Sequence, residues 1–415
     1  MRRIIVKEVR PGMLAARSLM HPQEPGTAII TGGEAITIRH VVKFHELGVY
    51  DLWVNDSGLE FLDDLCCSQP TTAQQRLAEA FRESFFGFVA HLPAAFTRRH
   101  TILLQELVEG VLRTAPVIPC FRAFTEDAAL LAHSCDVAVL SMVLGIQLEN
   151  YLIEQRKRLN CRQARDVLNL TLGALFHDVG ELMLPPGERE SRLGAGILRE
   201  PAAGGDKPNG WRQHTAEGFS VARGRLDPSA AVILVNHHQH FDGSGFAGAE
   251  QAGGGAKAQM GAGIHVHARI VMAADVFCQA LFGDVNATGA EMGGARVPQP
   301  MVKALWQIQQ MPFRQWFDPV VHQAILSAFQ PFVEGMVVTL DDHSQSLVIK
   351  VQSPGTCYPE TLRIGDAPRS AFDDDDSQMG GDQDRRREPV ILAVDGSKVD
   401  GFLYGVRQSQ PLVAA

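Results

Sequence analysis

Apolar positions follow three rhythms along this chain, and the changes between them mark its organisation. In residues 1–55 they fall in short runs. Ile4-Ile5-Val6 predicts a strand and Pro11-Gly12 a turn. Thr37 caps a predicted helix reaching Leu47, with Gly48 as its stop, and Val49 to Val54 predicts a second strand. Residues 56–120 read as charged helix. From Thr125 to about Gly283 the helical period dominates. Thr125-Glu126-Asp127 opens one helix with a cap and first-turn acids, and Asp227-Pro228 opens another as cap plus proline. Pro185-Pro186 ends a helix carrying Phe176 to Leu184. Gly-rich stretches at 203–210 and 247–263 read as loops.

Past residue 315 the rhythm changes again. A helix near Pro319 to Phe329 precedes MVVTL and SLVIKV, two strand-like runs, and Val390 to Gly396 suggests one more. The segment 366–388, with Asp373 to Asp376, is charged and reads as solvated. No internal repeat is visible. The expected organisation is a small α/β module at 1–60, a helical connector at 61–120, a helical domain at 121–315, a helix and β element at 316–365, and a charged tail at 366–415.

Composition narrows the functions. The chain has 415 residues, 45% hydrophobic and 20% charged, with a formal net charge of −9. That is an ordinary globular balance without a basic stripe, which argues against a nucleic-acid polymer as partner. An anionic ligand would need a local positive centre, and a metal ion can be one. The seven cysteines are scattered and form no CxxC pair, so neither a disulfide framework nor a thiolate zinc site is expected. The N-terminus lacks the apolar run of a signal peptide, and no stretch is long and apolar enough for a bilayer. A cytoplasmic protein with no membrane partner is the expectation.

The chemistry lies among the histidines. His133 shares a helical face with Leu130, Val137, Leu140 and Leu144. Taken alone, it reads as a core histidine bonded to a carbonyl. His177 and Asp178 are adjacent in an apolar stretch, and a carboxylate there could bridge two cations. His214 precedes Gly218 by four residues and alone reads as a polar helix start. The run Ala231 to Val235 delivers His237 and His238 together at a helix end. Neutral imidazoles binding a metal would resolve the cost of burying them, as would a hydrogen-bonded histidine pair. Asp242-Gly243-Ser244-Gly245 predicts a tight turn. Asp275 falls on the apolar stripe Ile264, Ala268, Val271, Cys278 and Phe282, where a bare carboxylate would need a cation. His133, His177, Asp178, His214, His237, His238 and Asp275 form a nitrogen and oxygen donor set. It suits two divalent transition-metal ions, iron or manganese before zinc, and phosphoester chemistry.

The order of these motifs resembles the HD-GYP family, a branch of the HD superfamily that hydrolyses cyclic di-GMP. The resemblance runs from about Leu130 to Asp284, with weaker support to about Ile364. It is carried by AHS at His133, HD-x-G at His177, Asp178 and Gly180, and HxxxG at His214 and Gly218. The double histidine His237-His238, DGxG at Asp242 to Gly245, and Asp275 in AAD complete it. Residues 4–54 also resemble the small module found before some HD-GYP domains. The resemblance implies a mainly α protein: an HD-type helical metal-binding domain, a small N-terminal α/β module and a C-terminal β-containing extension. It implies Asp178 as the metal bridge, with His177 beside it at the catalytic centre. Glu181, Asp242, Gly243 and Gly245 would then face the substrate, a cyclic dinucleotide or another phosphoester.

The departures fall on the substrate side. Gly-Tyr-Pro is Gly245-Phe246-Ala247, and the lysine that usually follows HD-x-G is Glu181. The aspartate three after the metal aspartate is Cys278, and the glutamate one turn before the first histidine is Ala129. The Arg and Lys expected soon after Cys278 are not evident in LFGDVNATGAEM. Slow hydrolysis of cyclic di-GMP is therefore the leading expectation. The rivals are a non-catalytic HD-fold signalling module, binding nucleotide or a signalling-protein partner, and a hydrolase for a different phosphoester.

Overall fold

The computed structural model describes residues 2–21, 27–47, 49, 51–55, 129–185, 212–246, 259–282, 299–351, 357–364 and 390–404. The expected connector, the opening of the helix at Thr125, the Gly-rich stretch 203–210, most of 247–263, Ala247 and the segment 366–388 lie outside these residues.

The chain folds as two compact units. One comprises Met1–Ser68, Gln299–Trp306 and Gln330–Ala415, and the other Gln69–Pro298 and Gln307–Phe329.

In the first unit, β1 (Arg2–Ile5), β2 (Leu14–Ala15) and β5 (Asp51–Asn55) form an antiparallel sheet in the order β1-β5-β2. The short β3 (Leu19–Met20) and β4 (Ala28–Ile30) pair separately. Helix α1 (Ile38–Glu46) starts where the sequence places it. Thr37 accepts from the His40 backbone N–H, and the His40 ring accepts from that of Thr37, closing a reciprocal cap. Phe44 from this helix packs among Ile4, Ile30, Ile36, Leu52 and Val54, which make the local core. The C-terminal strands are β6 (Val337–Leu340), β7 (Gln345–Lys350), β8 (Glu360–Arg363), β9 (Ile391–Val394) and β10 (Ser397–Lys398). They build an antiparallel sheet in the order β10-β9-β6-β7-β8. Its core holds Phe332, Val338, Leu340, Val348 and Val394. The sequence indicates β6, β7 and β9 here; β8 (ETLR) and β10 are too short and too polar to announce themselves.

The second unit is helical. Its elements are α2 (Ala129–Gln147), α3 (Glu149–Gln155), α4 (Leu168–Leu175), α5 (His214–Ala222), α6 (Pro228–Asn236), α7 (Val266–Phe282) and, further along the chain, Pro319–Ala328. From Ser134 to Met142 every residue of α2 is buried, so this helix is enclosed on all sides. It packs against α4, α7 and Pro319–Ala328. Asp227 caps α6 through the Ser229 N–H with Pro228 at the first position, as the sequence indicates. Arg269 of α7 pairs with Asp318, and also donates to Tyr151 and Gln155 at 2.8 and 2.7 Å. That buried ion pair ties α7 to the start of Pro319–Ala328. Removing one partner of such a pair costs about 3–5 kcal/mol.

One element differs from expectation. The helix that should carry Phe176 to Leu184 ends at Leu175, and Val179–Met183 forms a 3-10 turn after it. His177 and Asp178 therefore occupy the break between the two. Gly180 supplies the reason: a Cβ on it would lie 1.9 Å from the His214 carbonyl oxygen and 2.5 Å from the Gly218 nitrogen. The turn presses its bare backbone onto α5, where a side chain has no room. Both glycines of HD-x-G and HxxxG thus serve one close crossing.

Candidate metal centre

The ends of the helices converge on one buried carboxylate. Asp178 follows α4, and His214 opens α5. His237 and His238 follow α6, His133 lies in α2 and Asp275 in α7. His177, Asp178, His214 and His237 are completely buried, and His133, His238 and Asp275 nearly so. His214, which alone reads as a polar helix start, is thus an interior residue.

The two oxygens of Asp178 face different partners. Oδ1 lies 3.4 Å from His214 Nε2 and 3.3 Å from His237 Nε2. Oδ2 lies 3.2 Å from His177 Nε2 and 3.8 Å from His133 Nε2. His238 Nε2 joins the first set, 3.2 Å from His214 Nε2. Two groups able to hold a metal result: Asp178, His214, His237 and His238, and His133, His177 and Asp178, with Asp178 common to both. Asp275 touches the second group through His133, whose Nε2 lies 2.8 Å from Asp275 Oδ1.

Ring orientations test whether this set fits a metal. His177 Nδ1 lies 2.7 Å from the Ala174 carbonyl, and His237 Nδ1 lies 3.1 Å from that of Leu234. A carbonyl only accepts, so both Nδ1 atoms carry protons and the Nε2 atoms face the carboxylate. In the neutral rings those Nε2 atoms present lone pairs to Asp178. His214 Nε2 also lies 3.4 Å from His237 Nε2. One proton cannot serve three such nitrogens and a carboxylate oxygen. A cation among them resolves the arrangement, and a donor set of imidazole and carboxylate suits a divalent transition ion.

Electrostatics agree. Burial opposes a charged His177, yet the Asp178 carboxylate, with Asp275 and the Ala174 carbonyl, raises its pKa to about 9. Burial likewise opposes a charged Asp275, but the hydrogen bond and charge of His133 hold its pKa below the usual carboxylate range. The pocket attracts positive charge, and proton and metal compete for it.

The surrounding turns hold the ligands. Asp242 Oδ1 accepts from the Ser244 N–H and hydroxyl at 2.9 and 2.7 Å, and Gly243 takes φ of 84°. A Cβ on Gly245 would lie 2.1 Å from the His238 carbonyl oxygen, so this turn closes on the double histidine. Glu181 sits half-buried in the 3-10 turn, three residues after Asp178. Phe246 stacks on His238 with centroids 4.9 Å apart, and the Arg212 guanidinium lies 5.0 Å from the Phe246 ring centre.

Three supports escape a sequence reading. Gln279 Nε2 donates to Asp275 Oδ1 at 2.8 Å from one turn further along α7. His240 stacks on Trp316 at 4.2 Å, with its Nδ1 3.0 Å from Ser244 Oγ. Arg212 meets Phe246 from 34 positions away in the sequence. The i, i+4 spacing of Gln279 and Asp275 could have found the first. The other two depend on tertiary neighbours.

The sequence model of the HD domain family matches residues 130–279, a stretch that contains all seven candidate ligands. This supports placing the helical region in the HD superfamily. Comparison with curated proteins finds no match. No single described helix is long and apolar enough to cross a membrane.

Proposed function

We propose that the HD domain at residues 130–279 acts as a two-metal phosphodiesterase of the HD-GYP type, with cyclic di-GMP as first substrate and low turnover. One observation carries the reading: each oxygen of Asp178 faces its own set of histidines. His214, His237 and His238 would hold one ion, His133 and His177 the other, and Asp178 both, with Asp275 joining through His133. Iron or manganese suits these donors better than zinc. Bound there, the two ions would supply Lewis acidity toward a phosphodiester and lower the pKa of water.

The chain's own residues prepare that chemistry. The Ala174 and Leu234 carbonyls hold His177 and His237 with Nε2 toward Asp178, the orientation in which each would ligate a cation once Nε2 is free of its proton. Asp242 and Gly243 shape the turn behind His238. Arg212, 5.0 Å from the centre of the Phe246 ring that stacks on His238, offers a cation where a phosphate could dock.

A second reading is favoured by Glu181. A carboxylate in the turn after Asp178 repels a phosphate that a lysine would hold, which fits an HD module that binds a nucleotide or a signalling partner without turnover. Metal-loaded full-length protein assayed against cyclic di-GMP and a panel of phosphoesters separates the readings. Turnover that disappears in Asp178→Ala supports the phosphodiesterase. Two bound metals with no turnover of any phosphoester would establish the binding module instead.

A further inference from the structure

A second feature of the helical unit has no part in the metal centre. A cleft of about 1220 Å³ opens between the segment after α3, the first turn of α4, one face of α6, and residues from Gln259 to the start of α7. None of the seven His/Asp residues lines it. Its wall carries three consecutive cations, Arg156, Lys157 and Arg158. None of them forms an ion pair among the described residues.

Arg156 is held rigidly. Its Nη1 donates to the Gln163 and Ala164 carbonyls at 3.0 and 2.9 Å and lies 3.3 Å from His267 Nε2. Burial lowers its pKa, against the pull of Asp166 and Asp227, so this charge is partly desolvated without a contacting carboxylate. Lys157 and Arg158 are exposed beside it. The two acids in the wall cap local turns, and neither makes an ion pair with Arg156 among the described residues. Asp166 accepts from the Leu168 N–H and the Asn169 amide, and Asp227 from the Ser229 N–H and hydroxyl. The other arginine of the wall, Arg269, is answered by Asp318.

His265 adds a neutral donor. Its Nδ1 accepts from the His267 N–H at 3.2 Å, so its Nε2 carries the proton. Burial, with Arg156 and Arg269 nearby, pulls its pKa down to about 4 and keeps the ring uncharged near neutrality. The cleft therefore combines one hydrogen-bonded cation, two exposed cations and an N–H donor. Its volume slightly exceeds the ~300–1000 Å³ of typical small-molecule sites and far exceeds what a lone phosphate fills. The Asn236 side chain lines it as well and accepts from Gln239 at 2.5 Å, directly beside His237 and His238.

We propose that this cleft binds a phosphorylated small molecule, its phosphate on Arg156, Lys157, Arg158 and the His265 Nε2–H, at a position distinct from the metal centre. The inference is independent of what the metal centre hydrolyses. Calorimetric titration of the full-length protein at low ionic strength, with pyrophosphate and with guanosine monophosphate as probes, tests it. At least one probe should bind saturably, with equal affinity for the native protein and for Asp178→Ala. The affinity should fall at least tenfold in the Lys157→Gln, Arg158→Gln double variant, whose changes are on exposed side chains and leave the fold intact. Arg156→Gln should weaken binding too, although it also frees two carbonyls, so the double variant decides. Saturable binding of neither probe would overturn the proposal. So would binding that survives the double variant and disappears in Asp178→Ala.

Discussion

Two groups of histidines in the helical unit face opposite surroundings. His133, His177, His214, His237 and His238 gather around the carboxylates of Asp178 and Asp275, whereas His265 and His267 lie beside Arg156 and Arg269. Burial disfavours the charged ring in both places. At His177, beside the Asp178 carboxylate, it is overcome, and the pKa rises to about 9. Beside the arginines it is reinforced: His265 falls to about 4, and His267 lies well below its ordinary value. The same side chain thus builds a seat for a cation in one group and a neutral donor for an anion in the other. What distinguishes them is the charge that the neighbouring helices bring, not the count of histidines.

The largest expected effect removes the carboxylate at the heart of the first group. Asp178→Ala should lose both metals and any phosphodiesterase activity together while keeping its far-UV circular dichroism. Full metal retention at full rate would show that the oxygens do not bridge. Gly180→Ala should strike the same group through the backbone. Its Cβ would meet the His214 carbonyl at 1.9 Å, so the turn or α5 must move, at a cost of about 3 kcal/mol or more. Chemical denaturation should show that loss alongside weaker metal binding, and an unchanged midpoint would refute the crossing.

Glu181→Lys sharpens the comparison, because it places a cation at the rim of the carboxylate group. Steady-state rates on cyclic di-GMP at matched metal loading should rise about tenfold, equivalent to 1.4 kcal/mol of relieved repulsion. A variant slower than the native protein would give Glu181 a positive role.

The smallest effects are on pH. In metal-free protein, His177 has its pKa raised, so its stabilisation is complete below about 6.5 and is lost as pH rises through about 9. Saturating metal should remove that alkaline limb. His265 has its pKa lowered, so its penalty appears as pH falls below about 6.5 and levels off below about 4. His265→Gln should flatten the acid limb of a thermal-stability profile, and an unchanged profile would remove His265 as its cause.

Much of this was legible in the residues. The caps at Thr37 and Asp227-Pro228 and the helical stripe through Asp275 carry their own local physics. The turn at His177-Asp178 was not. Over a single turn, 3-10 and α spacings place apolar residues almost alike, and what ends the helix is Gly180 meeting α5, 34 residues away at His214. The strands β2, β3 and β10 have two residues each, too few for alternation to show. Nothing in the sequence pattern singles out the cations of the cleft, which share a wall with the residues before α7 only once the chain is folded.

The central claim is that Asp178 serves two ions at once. Elemental analysis of full-length protein purified without oxygen, beside its Asp178→Ala variant, measures this directly. Close to two transition-metal ions per native chain and none in the variant is the predicted result. A folded native protein holding no metal, or a variant holding as much as the native, would contradict it.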